Sequence, residues 1–183
     1  LANAPYPDIL LQNGFKQIGY GQYAKVWGHP NLDYVLKVFD NKDNAYINWV
    51  DVCLDYRNNP CLPKFVSPKI YALTDKLNYI RMEKLIPAAA TYGQLCLEIS
   101  EAVDKLSTTR EDDDEDEYDD NKFDIRQYPS ITSYLHKCPS LLNTIRLIAE
   151  MIQQGDGEND VNASNMMLRG DQIVFTDPLM SGW

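Results

Sequence analysis

The chain of 183 residues carries 17 basic and 27 acidic side chains, a formal net charge of −10, and is 44% hydrophobic and 11% aromatic. Nine of the acids fall in one run, EDDDEDEYDD at 111–120, so the remainder is close to neutral and gives little support to nucleic-acid binding through a basic face. The length suits one domain or two small lobes around a real core, and so apolar a composition confines disorder to local segments.

In chain order, the opening LANAPYPDIL lacks the basic start and long apolar core of a secretory signal. From Gly14 to Asp40, FKQIGYG, QYAKVWG and DYVLKVFD are rich in β-branched and aromatic residues and separated by Gly or HPNLD; three antiparallel strands fit. NKDNAYINWVDVCLDYRNN then sets Tyr46, Val50, Cys53 and Leu54 on one helical face, with Asp43 as its cap and Pro60 closing the segment. PKIYALTD and LNYIRMEKL read as two more short strands, and AAATYGQLCLEISEAVDKL as a helix.

The acidic run follows, with too little hydrophobicity to pack, so 108–122 reads as a solvated insertion. A helix from about Pro139 to Gln154 lines up Leu141, Ile145, Ile148 and Ile152, and NMMLRG and QIVFTD close as a hairpin turning at Gly170-Asp171. Five strands around one helix, a linker, a mostly helical half and a closing hairpin suit an α+β protein of two lobes, residues 1–85 and 86–183, with a cleft between them. Cys53, Cys61, Cys96 and Cys138 match no zinc spacing and no compact disulfide framework; reduced cytosolic thiols are expected. No apolar run approaches a membrane span, which points to a soluble, intracellular chain.

Three constellations carry chemistry. Gly19 and Gly21 flank one residue in a strand-to-strand turn, where the backbone can approach phosphate oxygens and Val26 on the outgoing strand can cover a flat base; ordinary Gly-rich hairpins look the same. Lys37 stands inside the apolar run YVLKVFD, sixteen residues beyond Gly21, where lysine either serves an anionic partner or guards a sheet edge. Asp160, Asn165 and Asp177 come next: a hairpin beginning after Asn165 and ending at Asp177 brings both to one end of neighbouring strands, fit for one hard cation, while Asp160 remains to accept a proton. Loops and turns favour the same residue types.

Jointly these motifs resemble the protein-kinase-like superfamily: GYGQYAKV its Gly-rich loop with Ala24 at the third glycine, YVLK its lysine strand, RMEKL its strand to the hinge, DVNASN its Asp-x-x-x-x-Asn loop and FTDP its metal-binding Asp. GFKQIGYGQYAKVWGHPNLDYVLKVF and the terminal TDP are similar to the early serine/threonine protein kinases of short-tailed, autographivirus-type bacteriophages. The resemblance implies a minimal bilobal kinase fold, ATP and Mg²⁺ as cofactors, and activity in the cytoplasm of an infected bacterium on itself and on host proteins, the transcription machinery among them. It implies that Lys37 meets the α and β phosphates, that Asp160 is the base toward a Ser or Thr hydroxyl, and that Asn165 and Asp177 hold the metal. Val26 and Met167 would sandwich the adenine, Met82 would be the gatekeeper, and the backbones of Glu83 and Leu85 the hinge.

Four departures bear on activity. Glu158-Asn159 replaces the His-Arg before the base, so that loop must be braced differently. Asn162 stands where a lysine is expected, removing a positive charge from the transferring phosphate. The helix after Lys37 has no Glu; Asp51, then Asp43, are the substitutes. Only six residues follow Asp177, too few for an activation segment and a helical platform for peptide substrates. A minimal active kinase could then recruit its substrate through another surface, for instance the acidic run against a basic protein, and two other functions stand beside it: a catalytically weak or inactive kinase-like module that binds and inhibits a host protein, with the acidic run mimicking nucleic acid, and a small-molecule phosphotransferase.

Overall fold

The computed structural model describes residues 8–21, 24–108 and 123–181. The acidic run, and with it the expected insertion 108–122 apart from Thr108, lies outside them. In chain order the elements are α1 (Asp8–Gln12), β1 (Lys16–Tyr20), β2 (Ala24–Gly28), β3 (Tyr34–Asp40), α2 (Asn44–Asp55), β4 (Tyr71–Ala72), β5 (Leu77–Glu83), β6 (Ile86–Pro87) and α3 (Ala89–Thr108). A 3₁₀ turn (Ile125–Gln127) leads to α4 (Pro129–Tyr134), α5 (Leu141–Gln154), β7 (Glu158–Asn159), β8 (Met166–Arg169), β9 (Gln172–Phe175) and β10 (Leu179–Met180). The chain is α+β, with a five-stranded antiparallel sheet and, among the described residues, five α-helices. None of the described helices is long and apolar enough to cross a membrane.

Two compact units divide the chain, one from residues 1–44 and 63–84, the other from 45–62 and 85–183. Nearly all of α2 thus belongs with the second half, whereas the strand order led us to expect it within residues 1–85.

The first unit is the sheet in the order β1-β2-β3-β5-β4. Period-two alternation assigns its side chains to faces. Trp27, Leu36, Val38 and Leu77 gather with Leu10 of α1 into one apolar cluster, flanked by Phe15, Tyr34, Leu73 and Tyr79. The alternate residues of β3, Val35, Lys37 and Phe39, are equally buried. A strand buried on both faces explains why YVLKVFD is an almost unbroken apolar run, and makes its one lysine conspicuous.

In the second unit α3 packs along α5. Leu141, Thr144, Ile145, Ile148, Ala149 and Met151 form the buried stripe of α5; Ile152, expected on it, is half-buried. Leu54 is likewise half-buried on α2, where Ala45, Tyr46, Trp49, Val50 and Cys53 take the interior. At 3.6 residues per turn Leu54 falls about 80° from Tyr46, at the margin of the buried face of α2, whereas Ile152 stays in line with Leu141 but lies in the last turn of α5, where less packs over it. Gly155 ends α5 in the left-handed region at φ 84°, and the Asp156 N–H returns to the Met151 carbonyl at 3.0 Å. Gly170, φ 60°, opens the β8–β9 turn as expected, with Arg169 opposite Gln172.

Polar latches join these pieces. Tyr134 of α4 donates its hydroxyl to the Asp171 carbonyl and accepts the Ile173 N–H at 2.9 Å, and burial pushes its pKa up to about 12. Arg169 reaches the Pro60 and Leu62 carbonyls at 2.8 and 2.9 Å. Glu98 of α3, 5% exposed, accepts the Ser130 N–H at 2.7 Å, the Ser130 hydroxyl at 2.7 Å and the Ile131 N–H at 3.2 Å, capping α4 with a side chain from another helix.

Burial opposes the Glu98 charge, but these bonds and one from Gln94 outweigh it and hold its pKa below the usual 4.5. A carboxylate with a lowered folded pKa contributes stability above its unfolded value and loses it as pH falls through the folded one. Glu98→Gln is therefore expected to be less stable than the wild type by about 1–2 kcal/mol in urea titrations at neutral pH. The difference should shrink below pH 4.5. At Gly157 an added Cβ would meet the Ala45 Cβ at 2.9 Å and the Leu179 Cβ and Met180 carbonyl at 3.1 Å. Gly157→Ala should cost about 1–3 kcal/mol in the same titration.

Candidate functional site

Within the second unit the chain leaves β7, runs through Asp160 to Asn165, enters the β8–β9 hairpin, and returns through Thr176, Asp177 and Pro178 to β10, which pairs back on β7. Backbone bonds close this circuit. The Asp160 N–H donates to the Pro178 carbonyl at 2.9 Å, and the Thr176 N–H donates to the Asn165 carbonyl at 2.9 Å, with the Thr176 hydroxyl on the same oxygen at 3.1 Å. Asp177 lies between those two anchor residues, so Asp160, Asn165 and Asp177 share one locus, as the hairpin spacing predicts for the last two.

Side chains refine the arrangement. Asn165 Nδ2 donates to the Asp160 carbonyl at 2.9 Å and to Asp160 Oδ2 at 2.8 Å; Asn162 Nδ2 donates to the same carbonyl at 3.0 Å and to Oδ1 at 2.9 Å. Both carboxylate oxygens of Asp160 are thus oriented by amides. With its NH₂ turned to Asp160, the Asn165 amide points its carbonyl oxygen away, the end a hard cation would use. Among the described residues no three His, Cys, Asp or Glu side chains converge on a metal cage. Two oxygen ligands, one from Asn165 and one from Asp177, suit Mg²⁺, which keeps waters and takes phosphate oxygens for the rest of its shell.

The loop before Asp160 has a brace that does not use the His-Arg pair. Asn159 donates its amide to Asp104 of α3 and accepts the Val161 N–H at 2.9 Å, and Ser100, one turn earlier on α3, donates to the Val161 carbonyl at 2.6 Å. Asn162 also accepts the Ser164 N–H at 2.9 Å and the Ser164 hydroxyl. Sequence reasoning missed Ser100 and Asp104; their spacing of four, one helical face, was the available signal.

The first unit holds the other phosphate and base candidates. Gly19, Val26, Lys37 and Ile80 are successive cross-strand partners over β1, β2, β3 and β5, and directly opposed residues share a face. Lys37 therefore sits in the middle of the sheet, 4% exposed, in one row with Gly19 and Val26, and it guards no edge. The Gly21 N–H closes the turn on the Ala24 carbonyl at 2.8 Å; Gln22 and Tyr23 lie outside the described residues. Met82 is buried on β5 and bridges Phe65. Glu83 gives its N–H to the Lys64 carbonyl at 2.9 Å and takes the Lys64 N–H on its carboxylate at 2.7 Å, so its backbone N–H is already engaged within the first unit.

Leu85 and Met167 belong to the second unit, Leu85 just before β6 and Met167 on β8 opposite Pro87 and Val174. Of the helix acids, Asp51 is exposed, while Asp43, immediately before α2, is buried.

If the α3 brace holds the loop, Asn159→Ala and Asp104→Ala should each destabilise the protein and couple in a double-mutant cycle by about 0.5–1 kcal/mol, read from urea midpoints. Additive losses would show that the contact contributes nothing. No protein-family model matches the chain, and a comparison with curated proteins finds no match.

Proposed function

We propose that this protein is an ATP-dependent serine/threonine protein kinase of the phage type, phosphorylating host proteins, the transcription machinery among them, and itself. The observation that carries the proposal is the closed circuit of backbone bonds that collects Asp160, Asn165 and Asp177, a base and two oxygen ligands, in one locus. The row of Gly19, Val26 and buried Lys37 across the sheet supports it from the first unit.

In this function Asp160 accepts the proton of a Ser or Thr hydroxyl as its oxygen attacks the γ phosphorus; the bond to the ADP oxygen breaks and ADP leaves with the electron pair. Lys37 holds the α and β phosphates, and Val26, Met82 and Glu83 of the same unit are the residues offered to the adenine. Magnesium, when bound, neutralises charge on the phosphates. Asn162 orients Asp160 but adds no positive charge where a lysine would stand, so phosphoryl transfer should be slow. The same observation favours a second function, a kinase-like module of little activity that occupies a host protein.

The test is incubation with Mg²⁺ and γ-labelled ATP, alone and with bacterial lysate. Labelled Ser or Thr is expected with the wild type, reduced at least ~100-fold in Asp160→Ala and Asp177→Ala, with MgATP affinity weakened in Lys37→Met. Melting curves for each variant separate lost chemistry from lost folding. A folded wild type that neither labels protein nor is stabilised by MgATP would sink the proposal, and co-purification of a host protein under those conditions would establish the second function.

A further inference from the structure

The four cysteines are all buried, and two of them meet: Cys61 Sγ lies 2.8 Å from Cys138 Sγ, although the residues are 77 positions apart. That separation is well inside the contact distance of two unbonded sulfur atoms and within easy reach of a covalent bond. Cys61 follows α2 in the segment that Arg169 grips at the Pro60 and Leu62 carbonyls, and its own carbonyl accepts the Phe175 N–H at 3.0 Å. Cys138 ends the turn between α4 and α5. We propose that Cys61 and Cys138 form a reversible dithiol–disulfide couple, a modification site whose co-reactant is a small disulfide such as oxidised glutathione.

The surroundings decide which sulfur attacks. Cys138 Sγ accepts the Gln172 amide at 3.3 Å, and the Leu141 N–H at the start of α5 donates to the Cys138 carbonyl at 3.1 Å, so the polar backbone of Ser140 and Leu141 lies beside the sulfur and favours its thiolate. Together with a hydrogen bond from the Cys61 thiol, the largest influence, these outweigh burial and lower the Cys138 pKa, whereas the bond to Cys138 and burial raise that of Cys61. Cys138 is thus the thiolate of the pair. It attacks one sulfur of the small disulfide, forming a mixed disulfide and expelling one thiolate; Cys61 then loses its proton and attacks Cys138 Sγ, expelling the second. Two protein thiols are oxidised by two electrons and one disulfide is reduced to two thiols. Both sulfurs are buried, so entry requires local opening of the turn, whose His136, Lys137 and Pro139 are exposed.

Once formed, the bond clamps the segment after α2 to the α4–α5 turn, beside the β8–β9 hairpin, which Tyr134 of α4 already holds and whose own Arg169 and Gln172 reach the Pro60 carbonyl and Cys138 Sγ. The inference is independent of phosphotransfer, and its test uses no nucleotide.

Wild-type protein is equilibrated across a series of reduced-to-oxidised glutathione ratios, quenched in acid, unfolded and alkylated, then weighed intact and mapped by peptide mass. At the oxidised end two of the four alkylations should be lost, the linked peptides should contain Cys61 and Cys138, and dithiothreitol should reverse both. The melting temperature should rise by about 10 °C, because the cross-link closes a long loop. Cys61→Ser should instead accumulate a stable glutathione adduct on Cys138. Four alkylated cysteines at every ratio, a link involving Cys53 or Cys96, a link between two chains, or an adduct on wild-type Cys138 that never resolves would each overturn the proposal. The wild-type map decides even if the variant does not fold.

Discussion

Two backbone hydrogen bonds, from Asp160 to Pro178 and from Thr176 to Asn165, set the geometry on which the candidate chemistry depends. Each spans the ends of a hairpin, so neither carboxylate can shift without dragging the strand that follows it. The side-chain amides of Asn162 and Asn165 then fix the Asp160 carboxylate by both oxygens. Such preorganisation is what a base and a metal ligand require, since positioning errors of an ångström are costly in catalysis. The loop is further tied to α3 through Ser100 and Asp104, so a helix braces it from outside.

The sheet imposes a different constraint on Lys37. Cross-strand register puts Gly19, Val26 and Lys37 in one row, where the residue without a side chain, the β-branched one and the long cation lie side by side. An ammonium at such depth is tolerated only with anionic company, which is why it is the least ordinary residue of its strand. The opposite face is plain packing: Leu36 and Val38 join Trp27, Leu77 and Leu10 in an apolar cluster.

Polar side chains do much of the joining in the second unit. Glu98 caps α4 from α3, Tyr134 holds the hairpin turn from α4, and Arg169 grips the segment that carries Cys61. Each satisfies backbone groups that short elements leave exposed at their ends, where few intra-element bonds are available. The two sulfurs meet in the middle of this net, so their chemistry would be felt by the hairpin.

Much of the fold was legible because local rules govern it. Runs rich in β-branched and aromatic residues between Gly or HPNLD breaks marked β1, β2 and β3, LNYIRMEKL marked β5, the apolar stripe marked α5, and Gly170 marked the hairpin turn. The spacing of Asn165 and Asp177 about that hairpin was enough to bring them to one end of it. The short pieces β6, β7 and β10 and the helix α4 were not legible, since two to six residues carry no periodicity of their own. Nor was the compact unit to which α2 belongs: Tyr46, Trp49 and Val50 show an apolar face but not what covers it.

The sequence by itself determined the α+β class, the strands of the main sheet and the residue types gathered at the candidate site. Tertiary structure alone decided that Asn159 meets Asp104, that Glu98 caps a foreign helix, and that Cys61 meets Cys138. Those contacts join residues 32 to 77 positions apart, and at such separations partners are selected by how whole elements pack, which no local pattern of side chains records.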